Sequence, residues 1–250
     1  MLRKRVIPSL LLKNNGLVKS VRFSKEKYVG DPINAIRLFN DKEADELVVL
    51  DIVATLKNSI NYELLSRINK EAFMPLAYGG GINTVDDART IINLGYEKVV
   101  LNSAAIKNPQ LITSIANVCG SQSTIVCIDV IKTMLGNYKV YQHSTKKSLP
   151  LDPMSWAAQV EELGAGEIIL YNVDRDGTFA GYDLQLIKRV SSAINIPLIA
   201  LGGAKTLEDF SKAFNAGADA VAAGSMFVYH GPHKAVLITY PSSAEIDTLF

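Results

Sequence analysis

The 250-residue chain has two cysteines, Cys119 and Cys127, three histidines, one tryptophan and almost no net charge. Two cysteines with no metal-ligand spacing exclude a disulfide scaffold and suit a reducing compartment, so a cytoplasmic location is expected. A formal net charge of +1 removes any global electrostatic case for nucleic acid or for an acidic membrane surface. No apolar window approaches membrane-spanning length. Arg3, Lys4 and Arg5 precede an apolar run from Val6 to Leu12, which superficially suggests a signal peptide. The run stops at Lys13 with no small-residue cleavage site after it, so it reads as a first buried strand. His143, His230 and His233 form no ligand-like group and read as loop or surface histidines; no metal and no cofactor is expected. What is present, 48% apolar and 20% charged residues, is ordinary for a globular protein with a substantial core.

The organising feature is a repeat. Pro75-Leu76-Ala77-Tyr78-Gly79-Gly80-Gly81 returns as Pro197-Leu198-Ile199-Ala200-Leu201-Gly202-Gly203, and Asn102-Ser103 returns as Gly224-Ser225, all at an offset of 122 residues. Between the members of each pair lies a helical stretch closed by Gly95 or Gly217. Each unit reads as apolar strand, glycine turn, amphipathic helix, second strand and small-residue turn. A glycine turn after a strand lets backbone approach a ligand closely, and N–H groups at a helix start favour an anion. Two such turns, one per half, suggest a ligand with a phosphate at each end.

Taken in order, the continuous apolar runs have the mark of strands covered on both faces. Asn14-Asn15-Gly16 is a turn, and the polar stretch to Gly30 reads as a mobile loop. Asp31-Pro32 and Asp152-Pro153 open helices in equivalent places, and Thr84 caps another with Asp86-Asp87 in its first turn. Asp51 and Asp129 end strands. Lys132 to Lys147 reads as an inserted hairpin with Gly136-Asn137 as its turn. Trp156 and Tyr62 read as helix packing, and Lys146-Lys147 as a solvated pair. Eight strands alternating with helices favour one (βα)₈ TIM barrel, an α/β fold, over an open doubly wound sheet. Its half-barrels would cover about 1–120 and 121–227, followed by an atypical segment 228–250. In a barrel the loops after each strand share one rim, which brings Asp51, Asp129, Asp176 and both glycine turns together.

Gly79-Gly80-Gly81-Ile82, Asn102-Ser103-Ala104-Ala105, Gly120-Ser121-Gln122, Ile128-Asp129, Gly164-Ala165-Gly166-Glu167, Asp174-Arg175-Asp176-Gly177-Thr178 and Gly202-Gly203-Ala204 together resemble the cyclase subunit of imidazole glycerol phosphate synthase, the HisF family. The match runs from Met1 to about Phe227. The resemblance implies a two-fold barrel that binds a bisphosphate nucleotide, with a HisH-type glutaminase docked on the opposite rim and its ammonia passing through the barrel. Ammonia then enters a ribulosyl-formimino nucleotide, giving imidazole glycerol phosphate and an aminoimidazole carboxamide ribotide. Phosphate contacts carry over to Gly80, Gly81, Asn102 and Ser103 at one end and to Asp176, Gly177, Gly202, Gly203, Gly224 and Ser225 at the other, with Asp51 a further rim candidate. Arg5, Glu46, Lys98 and Glu167 match the family's charged ammonia gate. Four ionisable groups at strand starts, two of each sign, can neutralise one another; unpaired, they would be costly to bury. A solvated ion-pair ring that merely closes the barrel is the plainer alternative.

The family's chemistry uses two aspartates, at the ends of the first and fifth strands. Asp129 is the fifth-strand residue, but the first-strand position is Leu11, which cannot move a proton. General acid–base assistance is typically worth ~10²–10⁴-fold. The first loop, Lys13 to Ser20, lacks the family's Asp-Gly-Arg form, Tyr171 fills a small-residue position, and Gly231 to Pro241 replaces the last helix. These departures resemble a divergent branch linked to surface polysaccharides, in which the barrel and a glutaminase supply ammonia to a third protein that makes acetamidino sugars. Three readings follow: a cyclase subunit, a non-cyclising ammonia conduit, and a stand-alone phosphosugar isomerase, the last disfavoured because it too uses a first-strand acid.

Overall fold

The computed structural model describes residues 4–249, so Arg3 of the basic trio lies outside the described residues. Parallel strands β1 (Arg5–Lys13), β2 (Leu47–Asp51), β3 (Leu76–Gly79), β4 (Lys98–Leu101), β5 (Thr124–Lys132), β6 (Glu167–Asn172), β7 (Leu198–Leu201) and β8 (Ala220–Ala223) each pair with the next, and β8 pairs back onto β1. That closure excludes the open sheet and establishes the (βα)₈ barrel. Helices α1 (Pro32–Asp41), α2 (Tyr62–Glu71), α3 (Val85–Asn93), α4 (Gln110–Cys119), α5 (Pro153–Glu162), α6 (Leu184–Ser191) and α7 (Leu207–Asn215) follow the first seven strands. The strands are buried on both faces because helices cover the outside and side chains fill the inside. Val6, Leu47, Val99 and Ile168 join the helix-facing core, while Ile7, Val48, Val100, Ile125 and Ile169 pack within the bore.

The duplication extends to cap chemistry. Asp31 and Asp152 each accept a backbone N–H at 3.0 Å, from Asn34 and Ser155, with proline at the first helical position. Asp87 accepts from the N–H groups of Asn83 and Thr84, and Asp209 from those of Lys205 and Thr206, at 2.9–3.1 Å. Strand register is repeated as well: Leu11 pairs with Leu50 as Asp129 pairs with Tyr171. Leu11 and Asp129 are therefore equivalent positions of the two halves.

The loop expected between Gly16 and Gly30 is instead an antiparallel hairpin, Gly16–Val21 against Ser24–Gly30, grown from the end of β1 through Leu12 opposite Leu17. Its inner strand is buried at Leu17, Val18, Lys19 and Ser20, while its outer strand faces solvent. The second half has the corresponding hairpin, as its sequence suggested: β5 continues against Tyr138–Gln142, with Val130 opposite Val140. Phe23, in the tip of the first hairpin, meets Tyr141 and His143 of the second, with ring centroids 6.2 and 5.4 Å apart. The two hairpins thus touch above the barrel mouth.

After β8 the chain makes one helical turn, Ser225–Val228, a small antiparallel pair, Tyr229–His230 with Ala235–Val236, and the short helix α8 (Ser243–Asp247). The Tyr240 hydroxyl donates to the Val6 carbonyl at 2.8 Å and accepts from the Asp45 N–H at 3.3 Å, and its ring packs against Phe39 and Phe227. Ile246 is buried. This segment seals the wall that an eighth barrel helix would otherwise cover.

Candidate functional site

Two clefts open at the C-terminal rim of the strands. The larger, about 800 Å³, is lined by Asp51, Gly80, Asn102, Ser103 and Asp129 among apolar residues that include Phe23, Leu50 and Val100. The smaller, about 390 Å³, is lined by Asp176, Gly177, Gly202, Gly203, Gly224 and Ser225, with Ser9 and Lys19. Leu11 and Tyr171 line both. The residues selected from the two halves of the sequence thus form two adjoining clefts, with an apolar leucine where the resemblance calls for an acid.

The glycine turns are glycine for a backbone reason. Gly80 has φ +125° and a Cβ there would lie 2.4 Å from the Asp51 carbonyl; Gly202 has φ +103° and its Cβ would lie 2.6 Å from the Asn172 carbonyl. Each turn folds back over the end of the preceding barrel strand, so any side chain is excluded. Gly81 sits behind the larger cleft and donates its N–H to Thr55 Oγ1 at 3.1 Å. Ser103 and Ser225 begin matching one-turn helices, Ser103–Lys107 and Ser225–Val228, on the same rim.

Asp129 is 4% exposed. Burial pushes its carboxyl up to about 7, with the charge of Asp176 acting in the same direction and hydrogen bonds from Asn102 and Cys127 opposing. Asn102 also donates to the Cys127 carbonyl at 3.1 Å, which holds the amide beside the carboxyl. Asp51 accepts the N–H groups of Val53 and Ala54, both at 3.0 Å, so one carboxylate oxygen caps the loop after β2. Burial raises its pKa against those two hydrogen bonds.

Asp176 is engaged by protein groups: it accepts from Ser20 Oγ and the Tyr171 hydroxyl, each at 2.8 Å, and from the Phe23 N–H at 3.4 Å. Its side chain thereby ties the first hairpin to the loop after β6. Lys19, on that hairpin, was not singled out from sequence. It is 4% exposed, donates to the Ser9 carbonyl at 2.6 Å and stands over Gly224. Burial lowers its pKa to about 8, partly offset by Asp176. Once the polar stretch is known to be a hairpin, the 16–21 strand accounts for a lysine reaching inward. His143 is a loop histidine, in the turn after Tyr138–Gln142, but a half-buried one in the wall of the larger cleft, because the second hairpin folds over the mouth. His230 and His233 are exposed, as expected. Lys146 and Lys147 are exposed too.

At the opposite rim, Arg5 pairs with Glu46 at 2.5 Å and with Glu167, and Lys98 pairs with Glu46 and Glu167 at 3.0 Å each. Each cation bridges both carboxylates, so the four side chains form a closed ring. The glutamates are 4% exposed. Burial disfavours the Arg5 charge, but Glu167 and then Glu46 more than offset this and raise its pKa.

Fold and site define a class: a two-fold (βα)₈ barrel with two adjoining clefts at one rim and an ionic ring at the other. The chain matches the family described as "Histidine biosynthesis protein" over residues 5–234. It is 49% identical over the full length of both chains to the "Putative imidazole glycerol phosphate synthase subunit HisF" of Leptospira borgpetersenii. It is 48% identical, over 99% of each chain, to the like-named hisF2 protein of Pseudomonas aeruginosa. It is 45% identical, over 92% of each chain, to imidazole glycerol phosphate synthase subunit HisF of Alkaliphilus metalliredigens. The chain belongs to the histidine biosynthesis protein family and, within it, to the HisF group.

Proposed function

We propose that this chain is a cyclase-type, lyase subunit of a glutamine amidotransferase. Ammonia from a HisH-type glutaminase enters at the Arg5/Glu46/Lys98/Glu167 ring, crosses the apolar bore and reaches a bisphosphate nucleotide held across the two clefts. The observation that carries the reading is the pairing of a closed charge ring at one rim with two adjoining clefts, each holding one of the glycine turns, at the other. An apolar bore suits neutral ammonia and disfavours ammonium, whose charge would have to shed water. One phosphate would meet Gly80, Gly81, Asn102 and Ser103, with Asp51 close by. The other would meet Gly177, Gly202, Gly203, Gly224 and Ser225, with Lys19 as counter-charge and Asp176 holding the loop. Asp129 is the proton-transfer group, poised near neutrality by burial.

The test is turnover of the formimino nucleotide by purified protein, with ammonium and with glutamine plus a glutaminase partner. Production of imidazole glycerol phosphate supports the reading, and abolition by Asp129→Asn locates it.

Leu11 favours a second reading, in which the barrel conducts ammonia to a third amidotransferase protein of polysaccharide biosynthesis without cyclising anything. Leu11 is buried between the clefts. Robust turnover by the unmodified chain refutes the conduit. Turnover only after Leu11→Asp supports it. A cytoplasmic setting accords with either reading; no described helix is long and apolar enough to cross a membrane.

A further inference from the structure

We propose that His143, carried by the second hairpin, is a catalytic residue of the Asp129 cleft that touches the bound nucleotide and exchanges a proton with it. This rests on the cyclase reading above and deepens it, because a barrel with Leu11 lacks one of the two proton-transfer groups that reaction needs.

Three observations converge on the imidazole. Its ring lines the same cleft as Asp129, Asp51 and Asn102. Its Nδ1 is buried and has no hydrogen-bond partner among the described residues. Its orientation is held from the opposite hairpin by a T-shaped contact with the Phe23 ring, with centroids 5.4 Å apart and planes at 85°. An unpartnered buried nitrogen costs about 1–3 kcal/mol, a cost that a ligand polar group in the cleft would remove. The charged groups that act on it are Lys146 of its own hairpin and Glu26 of the first, while Asp129, Asp51 and Tyr171 line the same cleft. Burial, reinforced by Lys146 and opposed by Glu26, lowers the pKa of His143 and so favours the neutral ring.

An imidazole kept toward its neutral form and a carboxyl that burial keeps protonated up to about pH 7 divide the work. When ammonia adds to the ribulosyl carbonyl, the N–C bond forms and the carbonyl π pair moves to oxygen. Asp129 protonates that oxygen and His143 takes the N–H proton. On dehydration the hydroxyl leaves as water with the proton from His143, the nitrogen lone pair forms C=N, and the second N–H proton returns to Asp129. Carbonyl and ammonia become imine and water, and both side chains end as they began.

The test uses the full chain with ammonium and the formimino nucleotide, plus ¹⁵N-histidine NMR with aminoimidazole carboxamide ribotide as probe. His143→Gln should lower kcat by about 10²–10⁴-fold with KM little changed, while His230→Gln changes neither. The acidic limb of the kcat pH profile should disappear, and added imidazole should partly rescue His143→Ala. The ribotide should move the His143 ring signals and leave those of His230 and His233 in place. Ribotide binding with unmoved His143 signals, or His143→Gln retaining kcat within about threefold, overturns the proposal alone. A wild-type chain that neither binds the ribotide nor turns over the nucleotide overturns the cyclase reading and this inference with it. Binding without turnover overturns the proton-transfer role.

Discussion

Replacing Lys98 by methionine keeps most of the length of the side chain and removes its charge. In the intact ring two cations and two carboxylates sum to zero, and each carboxylate is bridged by both cations. Lys98→Met leaves Arg5 alone between Glu46 and Glu167, both nearly buried, and the ring carries one uncompensated negative charge. Breaking a buried ion pair from one side costs about 3–5 kcal/mol. Because Arg5 and Lys98 keep some contact with water, with side chains 24% and 18% exposed, the lower end, about 3 kcal/mol, is the expected loss. For a chain of this size that lowers Tm by about 6–12 °C.

The decisive comparison is a double-mutant cycle. Glu46→Gln alone leaves an excess cation; together with Lys98→Met it leaves one neutral Arg5–Glu167 pair. The double variant should be more stable than the sum of the two losses by at least about 1 kcal/mol, read by urea denaturation followed by circular dichroism. Additivity within about 0.5 kcal/mol, with each single variant costing under about 1 kcal/mol, would mean the four groups are screened surface pairs and the ring argument is wrong. The same Lys98 variants test the proposed gate, since unchanged glutaminase-coupled ammonia transfer would reduce the ring to a closure.

Asp129 makes a prediction in pH. Its folded pKa of about 7 lies above that of an unfolded aspartate, so the native state binds more protons between about pH 4 and pH 7. Its contribution is therefore fully present at low pH and lost as pH rises through 7; Asp129→Asn should abolish that slope and be more stable than wild type at pH 8, on the order of 4 kcal/mol at most, in melts from pH 4 to 9. Lys19→Met should lower the affinity of the smaller cleft for inorganic phosphate at least about tenfold by calorimetry, since a charge-assisted contact is worth about 1.5–3 kcal/mol. Unchanged affinity removes Lys19 from the anion site. Tyr240→Phe deletes the link between the C-terminal segment and Val6 and should cost about 1 kcal/mol, with no change if the segment is held by ring packing alone.

The barrel was legible because its information is repeated: an offset of 121 or 122 residues places two glycine turns, two small-residue turns and two sets of helix caps, and local chemistry at each agrees with the global fold. Buried strands announce themselves as apolar runs, such as Ile168-Ile169-Leu170-Tyr171 within Glu167–Asn172. The first hairpin was illegible for the converse reason. Its outer strand, Ser24–Gly30, is exposed at Ser24, Lys25, Glu26, Lys27 and Tyr28, so no apolar alternation marks it. That miss propagated to the site, since the inward Lys19 and the contact of Phe23 with His143 exist only because that hairpin stands over the mouth. Asp129 could be picked out by its place at a strand end, whereas a histidine whose partners come from another hairpin 120 residues away leaves no local signal.

The two-fold relation also separates scaffold from chemistry. Gly80 over the Asp51 carbonyl and Gly202 over the Asn172 carbonyl are the same backbone solution used twice. At the next inward positions the halves diverge: Leu11 and Leu50 in one, Asp129 and Tyr171 in the other. The first half therefore presents hydrocarbon where the second presents a buried acid and a hydroxyl bound to Asp176. On the proposed reading the second half supplies both proton-transfer groups, Asp129 from its first strand and His143 from the hairpin that strand begins. A Leu11→Asp variant would place two carboxyls at equivalent positions around one mouth. Like charges there would raise at least one pKa further, so the added acid should shift the alkaline limb of the pH profile upward if the clefts share one field. An unshifted limb would show that Leu11 and Tyr171 insulate the two halves from each other.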